Sequence, residues 1–146
     1  MAMKEMTEEE CIASLTGPTL GRLACSLADQ PYVVPLYFVY ENGFFYALST
    51  LGQKVDWMRA NPKVCVQIDH IESDKQWVSV VATGTFEELR EPQYTDEREH
   101  ARKLLHTRPL WWQVPFAERQ LKSEAELIPP IIFRIRVQAM SGLRAA

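Results

Sequence analysis

Six consecutive residues, Ser49-Thr50-Leu51-Gly52-Gln53-Lys54, bring together two hydroxyls, a glycine, a carboxamide and an ammonium. They follow an aromatic, strand-like run and precede a helical pattern, so they join a strand to the first turn of a helix. Backbone N–H groups without intrahelical partners gather at such a turn, beside the positive end of the helix dipole, and a lysine one turn in adds a full charge. That combination can hold a phosphate. Its spacing is not that of the Walker loop, which sets its glycines and lysine differently. Taken alone, the segment favours a plainer reading: Ser49 or Thr50 caps the helix, a common role for these residues, and Lys54 is solvated.

Other candidates are weaker. Tyr32-Val33-Val34-Pro35-Leu36-Tyr37-Phe38-Val39-Tyr40 is apolar on both faces, and Pro35 removes one ladder donor, which suits an edge strand or a distortion. Its second face meets a ligand, a second subunit, or the inside of a closed barrel. Trp111-Trp112-Gln113-Val114-Pro115-Phe116 puts three aromatics outside any clear periodic pattern. Indoles there cover a core edge, form a stacking wall or anchor an interface; Trp77, beside Ser79, poses the same choice. His70, His100 and His106 have no closely spaced partners of ligand type, and His100 and His106 do not share a helical face. Asp69 and His70 are neighbours on a strand and point to opposite sides, and no Gly-x-Ser-x-Gly context occurs. Neither a metal site nor a catalytic side chain is singled out.

The chain has 146 residues, the size of one domain, with 47% hydrophobic and 24% charged residues, which places it among folded globular proteins. A net charge of −3 argues against a nucleic-acid partner. No apolar run approaches the roughly 20 residues of a membrane span, and the acidic start is unlike a signal peptide, so a cytoplasmic location is expected. Cys11, Cys25 and Cys65 form no Cys-x-x-Cys pair and are expected to be reduced and packed.

Thr7 to Glu10 has the form of a capping box and predicts a short helix, ended by Gly17-Pro18. Six strands are predicted, over 19–27, 32–41, 44–49, 63–69, 76–89 and 131–137. Asn42-Gly43 fits the two-residue turn whose residues both need positive φ, making 32–41 and 44–49 a hairpin. Residues 63–69 alternate, with Val64, Val66 and Ile68 opposite Lys63, Cys65, Gln67 and Asp69. Gly84 marks a bend or bulge. Helices are predicted over about 52–60 and 95–106. The short connections favour a mainly β fold with peripheral α: a six-stranded antiparallel Greek-key barrel in one domain, 1–146.

Several blocks in order resemble the pyridoxamine 5′-phosphate oxidase-related flavoproteins. They are Gly21-Arg22-Leu23-Ala24; Pro31 to Tyr40; Phe45-Tyr46-Ala47-Leu48 continuing into Ser49 to Lys54; Asn61-Pro62-Lys63-Val64-Cys65-Val66; Trp77 to Gly84; and Phe133-Arg134-Ile135-Arg136-Val137 followed by Ser141-Gly142. The resemblance implies an FMN-binding split β-barrel that forms a homodimer, with flavin in the groove between subunits, and a flavin-dependent oxidoreductase acting on a small molecule. It implies backbone around Val34, Pro35, Leu36 and Tyr37 along the flavin ring, and Leu48, Ser49, Thr50, Gln53 and Lys54 around the phosphate. Trp77 and Ser79 would reach the flavin from the other side, and Trp111 and Trp112 would wall the substrate pocket. Members that oxidise pyridoxamine phosphate carry Arg-x-His near the C-terminus, where this chain has Arg134-Ile135-Arg136; it is closer to the general branch that includes nitroimidazole-resistance-like reductases. Binding of flavin or haem without turnover, and a deazaflavin in place of FMN, are the alternatives on the same fold.

Overall fold

The computed structural model describes residues 2–106 and 131–146. In chain order these form β1 (Met3–Glu5), α1 (Glu8–Ala13), β2 (Pro18–Leu27), β3 (Gln30–Glu41), β4 (Phe44–Ser49), α2 (Gln53–Ala60), β5 (Lys63–Ser73), β6 (Gln76–Glu88), α3 (Thr95–Leu105) and β7 (Ile131–Ala145). Local chemistry sets several boundaries. Thr7 Oγ1 accepts from the Glu10 amide while the Glu10 carboxylate accepts from the Thr7 amide, closing the capping box at the start of α1. Asn42 and Gly43, with φ of 47° and 87°, turn β3 into β4.

The hairpin between β2 and β3 differs from expectation. Ala28 and Asp29 alone make its turn, with φ of 50° and 64°, and Leu27 pairs with Gln30. Alanine carries no turn signature and is disfavoured at positive φ, so β3 begins two residues earlier than the pattern predicts. The strand count also changes. β1 makes a seventh strand because β7 continues past Val137 to Ala145 and offers Leu143–Ala145 as its partner. Gln138 interrupts the alternation: the β6–β7 register steps between Thr83 and Gly84, leaving Gln138 as the extra residue of a bulge. Gly84 faces that step, where a Cβ would run into the Arg136 carbonyl.

All pairings are antiparallel, in the order β1-β7-β4-β3-β2-β5-β6, and a β6–β7 ladder closes the ring. The ring is uneven. β2 pairs along its full length with Gln30 to Val39 of β3, whereas β3 and β4 share only Val39↔Tyr46, Tyr40↔Phe45 and Glu41↔Phe44. Inside, Leu23, Phe38, Phe45, Val66, Ile68 and Phe133 form the buried core. Gly21 allows β2 to cross close to β5, since a Cβ there would stand 2.7 Å from the Gln67 carbonyl and 2.6 Å from the Phe38 ring. Outside, α3 covers β4 and the start of β7 through Tyr46, Leu89, Ala101 and Ile132. Among the described residues, no helix is long and apolar enough to cross a membrane.

Candidate functional site

α2 is held firmly by its inner face and its end. Val55 and Met58 are fully buried, Trp57 packs on Tyr32 with ring centroids 5.5 Å apart, and Asn61 Nδ2 donates to the Ser26 carbonyl at 3.1 Å. Its beginning is different. Gly52 is the N-cap residue, no side chain caps the helix, and its first internal hydrogen bond is Asp56 N–H to the Gly52 carbonyl at 3.1 Å. A Cβ placed on Gly52 would meet no described residue within 4 Å. The capping alternative for Ser49 and Thr50 therefore fails: Ser49 is buried and its hydroxyl donates to the Thr50 carbonyl at 2.9 Å. Thr50 is half-buried, Gln53 exposed and Lys54 half-buried. The Lys54 charge acts on Cys25, opposing the upward push that burial gives that thiol. Cys25 pairs across the ladder with Tyr32, so this end of α2 adjoins the start of β3. Leu48 points the other way, toward the cluster beneath α3.

β3 supplies the second part. Its even-numbered side chains face the core: Leu36 and Phe38 are buried, and Tyr32, Val34 and Tyr40 pack against them. Val33, Pro35 and Tyr37 face outward opposite Ala24, Arg22 and Leu20. Because β4 pairs only with residues 39–41, the edge of β3 over 30–38 carries a ladder on its β2 side alone among the described residues. Main-chain groups alternate sides along a strand, and with Leu27 and Gln30 closing a two-residue turn those of Val34 and Leu36 face β2, so Val33, the Pro35 carbonyl and Tyr37 offer main chain to that edge.

The outward face continues across β2, β5, β6 and the end of β7. It carries exposed apolar side chains, Leu20 at 48%, Val33 at 61%, Val81 at 37% and Leu143 at 40%. Among them lies a polar group that sequence reasoning missed. Arg22 pairs with Asp69 at 3.1 Å, and Gln67 donates to Asp69 and to Ser79 at 3.1 and 3.2 Å. The alternation of 63–69 did put Gln67 and Asp69 on one face, but nothing local pointed to Arg22, which lies 45 and 47 positions away. Trp77 shares the face with Ser79 and borders a cavity of about 230 Å³ with His70, Glu72 and Arg144. Trp111 and Trp112 lie outside the described residues.

Several other titratable groups are engaged within the fold. Glu87 binds both Arg134, at 2.7 Å, and Arg136, at 2.9 Å, and Arg134 lies over the Phe44 ring at 4.1 Å. Both guanidiniums are thereby committed to a carboxylate of their own chain. His100 Nε2 is 2.6 Å from a Glu41 carboxylate oxygen, tying α3 to the end of β3. His70 Nε2 meets the Ser14 carbonyl at 3.1 Å while Asp69 turns to Arg22, so the two neighbours are on opposite sides. Burial raises the pKa of all three cysteines, which keeps the thiols protonated and unreactive.

Comparison with known proteins follows these features along the chain. The sequence profile described as pyridoxamine 5′-phosphate oxidase matches residues 7–144. An uncharacterized protein of Rhizobium meliloti (strain 1021) is 45% identical over 147 residues, covering 100% of this chain and 97% of that one. The crystal structure of a FAD-binding protein from Mesorhizobium loti is 37% identical with a TM-score of 0.79, covering 100% of this chain and 98% of the other. A FAD-binding protein from Mycobacterium smegmatis shares the fold at 20% identity and a TM-score of 0.67, covering 98% and 100%.

Proposed function

This chain belongs to the pyridoxamine 5′-phosphate oxidase family, and on that premise we propose that it is a flavin-dependent oxidoreductase for a small molecule, with FMN bound between two copies. One observation carries the reading: among the described residues, the start of α2, which no side chain caps, adjoins a strand whose edge is open over 30–38. A flavin nucleotide needs an anion site for its phosphate, main-chain donors and acceptors for its pyrimidine edge, and a flat apolar slot for its rings. The α2 amides, the Thr50 hydroxyl and Lys54 fit the first need. The open edge of β3 fits the second, and Pro35, Tyr37 and their neighbours the third. Bound flavin supplies the redox chemistry, accepting two electrons from a donor and passing them on. The chain's own residues bind it, orient it and keep water from one of its faces.

Distance supports a second copy. Trp77 and Ser79 on β6 share the outward face with Pro35 and Tyr37 but lie three strand spacings away, about 14 Å. A flavin on one chain's β3 edge therefore meets Trp77 and Ser79 of a second copy laid face to face with it. The exposed Leu20, Val33, Val81 and Leu143 supply the apolar surface for that contact. Three unpaired thiols suit the reducing cytoplasm, the location proposed.

The first test is the absorption spectrum of the purified protein and the mass of whatever it releases on denaturation. FMN is the expected cofactor. The FAD-binding relative from Mesorhizobium loti makes FAD the outcome that would correct the nucleotide while keeping the flavin. A Soret band, or a colourless protein that takes up no added flavin, overturns the reading. Lys54→Ala should weaken FMN binding tenfold or more, and unchanged affinity would put the phosphate elsewhere. Anaerobic reduction by NADH or NADPH, followed by oxygen or a nitroaromatic, should give multiple turnovers; a single bleaching would make this a flavin carrier.

A further inference from the structure

The polar group on the outward face is directional. Arg22 NH1 donates to Asp69 Oδ2 at 3.1 Å and to Gln67 Oε1 at 3.4 Å, and Gln67 Nε2 donates to Asp69 Oδ2 at 3.1 Å and to Ser79 Oγ at 3.2 Å. A guanidinium only donates and a carboxylate only accepts, so the Gln67 amide has one orientation: oxygen toward Arg22, nitrogen toward Asp69 and Ser79. Ser79 Oγ therefore receives a hydrogen, and its own hydrogen is aimed elsewhere. Its neighbours along the strand on this face are Trp77, which only donates, and Val81. Across the ladder lie Leu143, which is apolar, and Asp69, whose carboxylate takes Arg22 and Gln67 on Oδ2 and, among the hydrogen bonds of the described residues, takes none from Ser79.

We infer that Gln67, oriented by Arg22 and Asp69, is a positioning residue that makes Ser79 a hydrogen-bond donor to the pyrimidine edge of the flavin, favouring its reduced form. The inference rests on the flavin reading above. The reduced ring, having gained two electrons and one proton, carries negative charge on this edge that the oxidised ring lacks. A donor held there binds the reduced form more tightly, and needs no reorientation to do so. With a freely turning hydroxyl the preference would be diluted, because Ser79 could equally present its lone pairs.

The readouts are the two-electron reduction potential of the bound flavin and its visible spectrum, on the purified flavoprotein. Ser79→Ala should lower the affinity ratio of reduced to oxidised flavin about tenfold, a fall of about 30 mV. Ser79→Thr, which keeps the hydroxyl, should stay near the parent value. Gln67→Leu should lower the ratio about threefold in the parent, and should have no further effect when Ala occupies position 79, because its action runs through the serine. An unchanged potential in Ser79→Ala overturns the inference, as does a Gln67→Leu shift of equal size in both backgrounds or a Ser79→Thr loss equal to that of alanine. A protein that binds no flavin refutes the proposed function; one that binds it with unshifted potentials refutes only this inference.

Discussion

Replacing Glu88 with Gln tests the link that fastens the end of α2 to the barrel. Glu88 closes β6, its side chain is 15% exposed, and two guanidiniums meet it. Arg59, in the last turn of α2, donates through Nε and an NH2 nitrogen at 2.7 and 3.0 Å; Arg90 donates through Nε at 2.7 Å. The Arg59 hydrogen bonds, helped by Arg90 and opposed by burial, pull the carboxyl from 4.5 down to about 2. At about 1.4 kcal/mol per pH unit this is about 3 kcal/mol. Arg59 and Arg90 are 35% and 63% exposed, and solvent screening reduces the figure to about 1–2 kcal/mol. Because folding holds the pKa below its unfolded value, the contribution is complete above pH 4.5 and is lost as pH falls toward 2. Urea unfolding of the parent and of Glu88→Gln, at steps from pH 7 to 3, should show a constant difference of about 1–2 kcal/mol down to about pH 5. By pH 3 more than half of it should be gone. A difference that is independent of pH, or that grows on acidification, would refute the ion-pair account.

Gly84→Ala should destabilise the barrel by about 2 kcal/mol or more in the same assay, since the new Cβ meets the backbone carbonyl of Arg136 rather than a movable side chain. Ala28→Asn should stabilise it by about 1 kcal/mol, because asparagine tolerates the φ of 50° that alanine resists. Leu20→Arg, on the exposed apolar face, should shift the protein from dimer to monomer in sedimentation with little change in the monomer's spectrum in the far ultraviolet; a persisting dimer would move the interface to another face.

What could be read from the sequence was what is local. The capping box at Thr7, the Asn42-Gly43 turn and the alternation of 63–69 each put their cause within a few residues, and the structure has all three. The 49–54 segment was legible as a strand-to-helix junction for the same reason. Its internal division was not, because Ser49 belongs to the inward face of β4 and only the register with Ile131 buries it. The connection between 27 and 32 was legible, but its shortening to Ala28-Asp29 was not, because alanine is disfavoured at the positive φ it adopts there. β1 and the far half of β7 stabilise each other across the whole chain, and Arg22 finds Asp69 over 47 positions, so neither has a local signal.

The open edge of β3 follows from lengths and a register that the sequence does contain. β3 has twelve residues and β4 six. With Glu41 paired to Phe44 across the tight turn, a fully zipped hairpin would carry Ser49 only as far as Leu36. It stops sooner, at Val39↔Tyr46, where β4 parts from β3 while Ala47, Leu48 and Ser49 remain paired with β7, opposite Phe133, Ile132 and Ile131. β2 is long enough to hold β3 along its other side, so the surplus is a paired strand whose other edge is open among the described residues. Main-chain groups on such an edge need partners. Pro35 makes one position unfit to extend a ladder, which discourages a simple added strand and suits a ligand that takes some of the groups and leaves others. The phosphate chemistry of 49–54 and the apolar strand of 32–40, separate observations in the sequence, come together because β4, too short to cover all of β3, leads directly into the helix beside the uncovered edge.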